Sequence, residues 1–217
     1  MLGNTEPQNA LNAFKQVFDG KNRSIGLSTT LVTKADEVKR VTERQEVTQS
    51  KLVMGFRTPY AEPYTDVAVV KLMCAVLGGT PSSKLFMNVR EKMSLCYYCA
   101  ARYNPNKGII IIDSGVENAN IEKTETAILE QLKSMQAGDI TDEEIDAAKL
   151  ALKNAYITSL DSLASIENFY LSQTFNRETL TPEESAEKIM AVTKEQIIDA
   201  AKSVSLDTIY VLTSNEQ

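Results

Sequence analysis

Ser82-Ser83-Lys84-Leu85-Phe86-Met87-Asn88-Val89-Arg90-Glu91-Lys92-Met93-Ser94-Leu95-Cys96-Tyr97-Tyr98 reads as a short amphipathic helix, a tight exit and the start of a strand. Leu85, Phe86, Val89 and Met93 recur at spacings that share one helical face. Arg90 falls off that stripe, beside Lys84 and Glu91. After Met93 the pattern changes to Tyr97, Tyr98 and Cys99, residue types that suit a pleated surface. A cation near a helix end and a phenol at a strand start can therefore converge on one point.

Outward from this stretch, the chain punctuates itself clearly. Upstream, Val67, Val70, Leu72, Met73, Val76 and Leu77 mark a buried helix within 63–79, closed by Gly78-Gly79. Thr80-Pro81 then offers an N-cap and a first-turn proline to the central helix. Gly78 to Lys84 lacks the Gly-Lys-Ser/Thr order of a phosphate-binding loop, so a turn is the better reading. Val47 to Phe56 reads as a strand, stopped by Pro59. Downstream, Asn104-Pro105-Asn106-Lys107 separates two apolar runs and predicts a hairpin of 97–103 with 108–116. Its Ile109-Ile110-Ile111-Ile112 run implies a strand covered on both faces, or nearly so.

Helices dominate the rest. Asn120 heads a helix closing at Gly138. Thr141 with Glu144, Thr181 with Glu184 and Thr193 with Gln196 are three capping boxes, each opening a helix. Another helix is expected over 163–175, and Thr208 to Leu212 closes the chain as a strand. At the other end, 7–19 is amphipathic through Ala10, Leu11, Phe14, Val17 and Phe18. Residues 23–35 read as a strand or extended linker, and Asp36 to Glu46 as a solvated connection or edge element. Segregated helices and an adjacent hairpin predict an α+β domain, with a largely antiparallel sheet backed by helices on one side.

Composition excludes several functions. The 217 residues carry a formal net charge of -6 without a clustered basic patch, which argues against nucleic acid. No apolar run approaches the ~20 residues of a membrane span, and the first residues do not resemble a secretory leader. Cys74, Cys96 and Cys99 read as small core residues, and a reducing, cytoplasmic compartment is expected. The sequence contains no histidine. Ser-His and Cys-His catalysis and His-based zinc sites are therefore impossible in this chain. Tyr98 and Tyr103 are expected to pack, as are the scattered methionines. The caps account for Glu144, and solvent for Glu143.

The Ser82–Tyr98 stretch resembles the pitrilysin/insulinase family of zinc metallopeptidases, which includes the mitochondrial processing peptidases. The likeness is to the second, C-terminal homologous domain. Gln49 to Gly55 is similar to that domain's opening strand, and Gly138 to Lys149 to its late helical hairpin. Residues 46–217 are thus identified as an insulinase-type C-terminal, inactive peptidase domain, with 1–45 as an N-terminal helix and linker or edge segment of the same domain. The resemblance implies two homologous halves enclosing a chamber for unfolded peptide. The first half carries H-x-x-E-H and zinc; the second carries no metal and supplies an arginine and a tyrosine to the substrate.

Arg90 and Tyr97 occupy those two positions, as substrate-binding residues rather than catalysts in isolation. Ser94 stands where the family commonly has glycine, and Cys96 where it has a small residue. The implied partners are the zinc-bearing N-terminal half or a partner subunit, and an unfolded peptide; a homodimer is a further arrangement. No cofactor is expected in this chain itself. The other reading is a noncatalytic peptidase-like subunit, or a peptide-binding or assembly module.

Overall fold

The computed structural model describes residues 4, 6–19, 31–174 and 176–215. Five strands form one sheet: β1 (Lys39–Arg44), β2 (Ser50–Arg57), β3 (Cys96–Asn104), β4 (Ile109–Val116) and β5 (Ser205–Thr213), in the order β1-β5-β2-β4-β3. Every pairing is antiparallel except β1 with β5, which is parallel. The expected α+β class with a largely antiparallel sheet holds. The expected edge element is β1 itself.

Alternation along β2 builds the core. Ser50, Leu52, Met54 and Phe56 are buried while their neighbours face outward, as period-two geometry requires. Against this face pack the helices α2 (Ala68–Cys74), α3 (Ile121–Gln136), α6 (Pro182–Ala191) and α7 (Lys194–Ser203), through Leu72, Met73, Ile128, Met135, Ile189 and Ile197. Each such fully buried side chain contributes about 1.5–3 kcal/mol relative to exposure. The helices α4 (Asp142–Thr158), α6 and α7 open at the three expected capping boxes, whose reciprocal hydrogen bonds all form.

The opposite sheet face is polar and cross-linked between strands. The Lys51 ammonium donates to the Tyr98 hydroxyl at 3.1 Å, Arg102 pairs with Asp113 at 3.1 Å, and the Tyr210 hydroxyl donates to Glu43 at 2.6 Å. This corrects the reading of the isoleucine run. Ile110 and Ile112 are buried, but Ile111 is 42% exposed, because among the described residues the helices pack on the other face.

Other expectations shift at their edges. The strand expected over Val47 to Phe56 is β2, which begins at Ser50. The buried upstream helix is α2 followed by a wide π turn, Ala75–Gly79. Thr80-Pro81 does not cap the next helix. The two residues lie in a turn, with the Thr80 hydroxyl bonded to that of Ser82, and the central helix runs Leu85–Lys92 with wide π-type bonding. Gly78 explains the offset: a Cβ there would lie 2.7 Å from Leu85 Cδ1 and 2.8 Å from Ala101 N, so the chain must clear β3 before it coils again. Asn120 makes no side-chain cap, since a 3-10 turn over 118–120 leads into α3 instead.

The N-terminal amphipathic helix is present as α1 (Pro7–Phe18) and buries no residue. Of the 23–35 strand or linker, residues 31–35 are irregular and the remainder lie outside the described residues. The helix of 163–175 is α5 (Leu163–Ser172), and Phe175 lies outside the described residues. Among the described residues, no helix is long and apolar enough to cross a membrane.

Candidate functional site

The site forms where the central helix ends and β3 begins. Leu85 and Val89 anchor the helix in the core, while Met93 is 47% exposed and lies off the buried stripe. The turn depends on Ser94, whose φ of 52° is the left-handed conformation that glycine adopts without cost. The Leu95 amide then reaches back to the Val89 carbonyl at 3.1 Å, closing the helix end. The glycine-for-serine difference noted in the sequence therefore sits at the one position where it has a conformational consequence.

β3 opens with a bulge. Cys96 pairs with Val116 and Tyr98 with Gly115, so Tyr97 is an extra residue on its strand. Its backbone carbonyl is free of the ladder and accepts a hydrogen bond from Arg90 Nε at 2.8 Å. The Tyr97 side chain is turned outward, 57% exposed, and its hydroxyl donates to Glu117 Oε1 at 3.2 Å. Arg90 also lies 4.6 Å from the centroid of the Phe86 ring, and its Nη1 is 3.0 Å from Glu91 Oε1. The exposed pair with Glu91 is worth at most about 1 kcal/mol; the stacking and the carbonyl contact give Arg90 its orientation.

Arg90, Cys96, Tyr97, Glu117 and Asn120 line an open cavity of about 380 Å³. The structure thus brings together the two residues singled out in the sequence, through the guanidinium and a main-chain carbonyl rather than the phenol. A phenol donor beside a guanidinium can hold a peptide carbonyl, or the oxyanion it becomes. Glu117 was not foreseen. Pairing the hairpin in register would have found it, because it follows Val116, the partner of Cys96.

Lys84 was read as a neighbour of Arg90 and is instead buried. Its side chain is 5% exposed, with Nζ 3.0 Å from Glu144 Oε1, while Glu144 Oε2 accepts the Thr141 amide at 2.9 Å. Glu144 therefore does more than cap α4. Among the described residues no cluster of three His, Cys, Asp or Glu side chains could hold a metal ion.

The family model described as the peptidase M16 inactive domain matches residues 1–152. A Bacillus subtilis protein described as a probable inactive metalloprotease, YmfF, is 32% identical over the whole chain, which covers 51% of that protein. The beta subunit of the Saccharomyces cerevisiae mitochondrial-processing peptidase is 36% identical over 90 residues, 41% of this chain and 19% of the subunit. Among solved structures, a conserved protein from Enterococcus faecalis has a TM-score of 0.85 at 29% identity, covering 98% of this chain and 51% of that one. A protease from Helicobacter pylori has a TM-score of 0.79 at 16% identity, covering 96% and 53%, and shares the fold. The chain spans about half, or less, of the length of these relatives.

Proposed function

Since the chain belongs to the peptidase M16 family of metallopeptidases and matches its inactive domain, we propose that it forms the zinc-free half of a divided peptidase, lining a peptide-binding chamber. The zinc-binding half, in the same protein or a partner subunit, supplies the metal. This chain supplies Arg90 and Tyr97 to an unfolded peptide and is inert alone. The observation that carries the reading is the outward phenol of Tyr97 on a bulge whose carbonyl is held by Arg90, at the mouth of a cavity. The three free thiols support a reducing, cytoplasmic setting.

A second reading is favoured by the Bacillus subtilis relative described as inactive: the whole protein binds peptide without cutting it. Pairing the chain with its zinc-binding half and following an unstructured fluorescent peptide by anisotropy and by cleavage separates the two. If the assembly cleaves, Tyr97→Phe lowers turnover about 100-fold, the usual cost of a lost oxyanion donor. If it only binds, Arg90→Ala and Tyr97→Phe weaken binding. Unchanged cleavage and unchanged binding in both variants would show that this site does not touch the peptide.

A further inference from the structure

Cys96-Tyr97-Tyr98-Cys99 places two cysteines three residues apart on β3. In a regular strand such residues point to opposite faces. The bulge cancels this: Cys96 pairs with Val116 and Cys99 with Ser114, three steps on β3 against two on β4. Both thiols consequently return to one face. Cys96 and Cys99 are thus successive residues on the same face of β3, with Ser114 the ladder partner of Cys99.

We propose that Cys96 and Cys99 are a redox-active dithiol, which closes to a disulfide by exchange with a low-molecular-weight disulfide such as oxidised glutathione. The two thiols are unequal in the way such a pair requires. Cys96 is half-buried at the wall of the cavity beside Arg90, where a small disulfide can reach it, and Cys99 is buried behind it. The Cys99 hydrogen bond, with help from Ser114 and the Arg90 charge, lowers the Cys96 pKa to about 7. Donating that bond, together with burial, pushes Cys99 up. A thiol whose pKa lies near ambient pH is the best placed to attack.

The Cys96 thiolate attacks one sulfur of the oxidant, releasing one thiolate and leaving a mixed disulfide on Cys96. Cys99 then gives up its proton and attacks Cys96 Sγ, and the second thiolate departs. Two protein thiols are oxidised to one disulfide, and the oxidant is reduced to two thiols that take up the two protons. The bridge spans Tyr97 and Tyr98, so oxidation clamps the bulge that presents the Tyr97 phenol. The inference is independent of the peptide-binding reading, because its test reads only the chain's own thiols.

The chain is equilibrated in glutathione buffers of increasing oxidising ratio, quenched with acid, and mapped by intact mass and by differential alkylation. The expected product has lost two hydrogen atoms, with Cys96 joined to Cys99 and Cys74 still a thiol. Cys74 serves as an internal reference, since burial pushes its pKa up to about 12. Cys99→Ala, its fold checked by circular dichroism, is expected to stop at a glutathione adduct on Cys96. The proposal is overturned if the unmutated chain keeps both thiols at the most oxidising ratio, or accumulates the adduct without closing it. The unmutated chain decides the matter even where the variant fails to fold.

Discussion

Removing the Glu144 carboxylate should cost this fold far more than losing a surface ion pair. Glu144 is the acceptor for the Lys84 ammonium, at 3.0 Å, and the Lys84 side chain is 5% exposed. Glu144→Ala strands that ammonium in the core, a loss of about 3–5 kcal/mol. It also removes one arm of the α4 capping box, worth about 1 kcal/mol. Together these come to about 4–6 kcal/mol, so at ~2–4 °C per kcal/mol for a chain of this size the melting temperature falls by roughly 8–24 °C.

Glu144→Gln keeps an acceptor for the Thr141 amide and should cost less. Lys84→Met removes the charge while keeping the apolar stem, and Glu144, 21% exposed, retains water and its capping bond. That variant should therefore lie within about 1 kcal/mol of the parent. Urea unfolding of the two single variants and the double variant closes the cycle. On the Lys84→Met background, Glu144→Ala should cost only the cap, about 1 kcal/mol. A loss below about 1 kcal/mol for Glu144→Ala alone, or an equal loss on both backgrounds, would refute the reasoning.

Ser94→Gly relieves a left-handed serine and should raise stability by up to about 1 kcal/mol, measured by thermal unfolding; a fall would contradict the turn geometry. Gly78→Ala forces a methyl to within 2.8 Å of the Ala101 backbone nitrogen and should cost about 1–3 kcal/mol in urea. Alkylation of Cys96 should rise with pH around a midpoint near 7, because only the thiolate reacts. Cys99→Ala should move that midpoint up most and Arg90→Ala less; a midpoint near the ordinary ~8.5 in the parent would remove the thiol pair's asymmetry.

What could be read in advance follows the range of the interactions. The capping boxes at Thr141, Thr181 and Thr193 were legible because both partners lie within one turn. So was the hairpin, whose turn residues sit between two β-branched or aromatic runs. Arg90 and Tyr97 were legible only as a motif: nothing local shows that the guanidinium holds the main-chain carbonyl of Tyr97 and leaves the phenol to Glu117. Thr80-Pro81 shows how a local signal loses. Its chemistry suits a helix start, but the close approach of Gly78 to β3 delays the helix to Leu85.

Ile111 and Lys84 mark the same boundary from opposite sides. An isoleucine run specifies a strand, yet whether both faces are covered depends on helices outside it; among the described residues they cover one. A lysine in an amphipathic helix looks solvated until α4 brings Glu144 to it.

The sequence by itself determined the alternation of β2, the helix starts, the hairpin and the impossibility of histidine chemistry, all consequences of short-range pattern or composition. Only the tertiary structure decided that β3 slips by one residue against β4. That slip turns Tyr97 outward, frees its carbonyl for Arg90 and brings Cys96 and Cys99 to one face. Strand register is a property of two segments together, so the stretch Ser82–Tyr98 contains the residues of the site but not their arrangement.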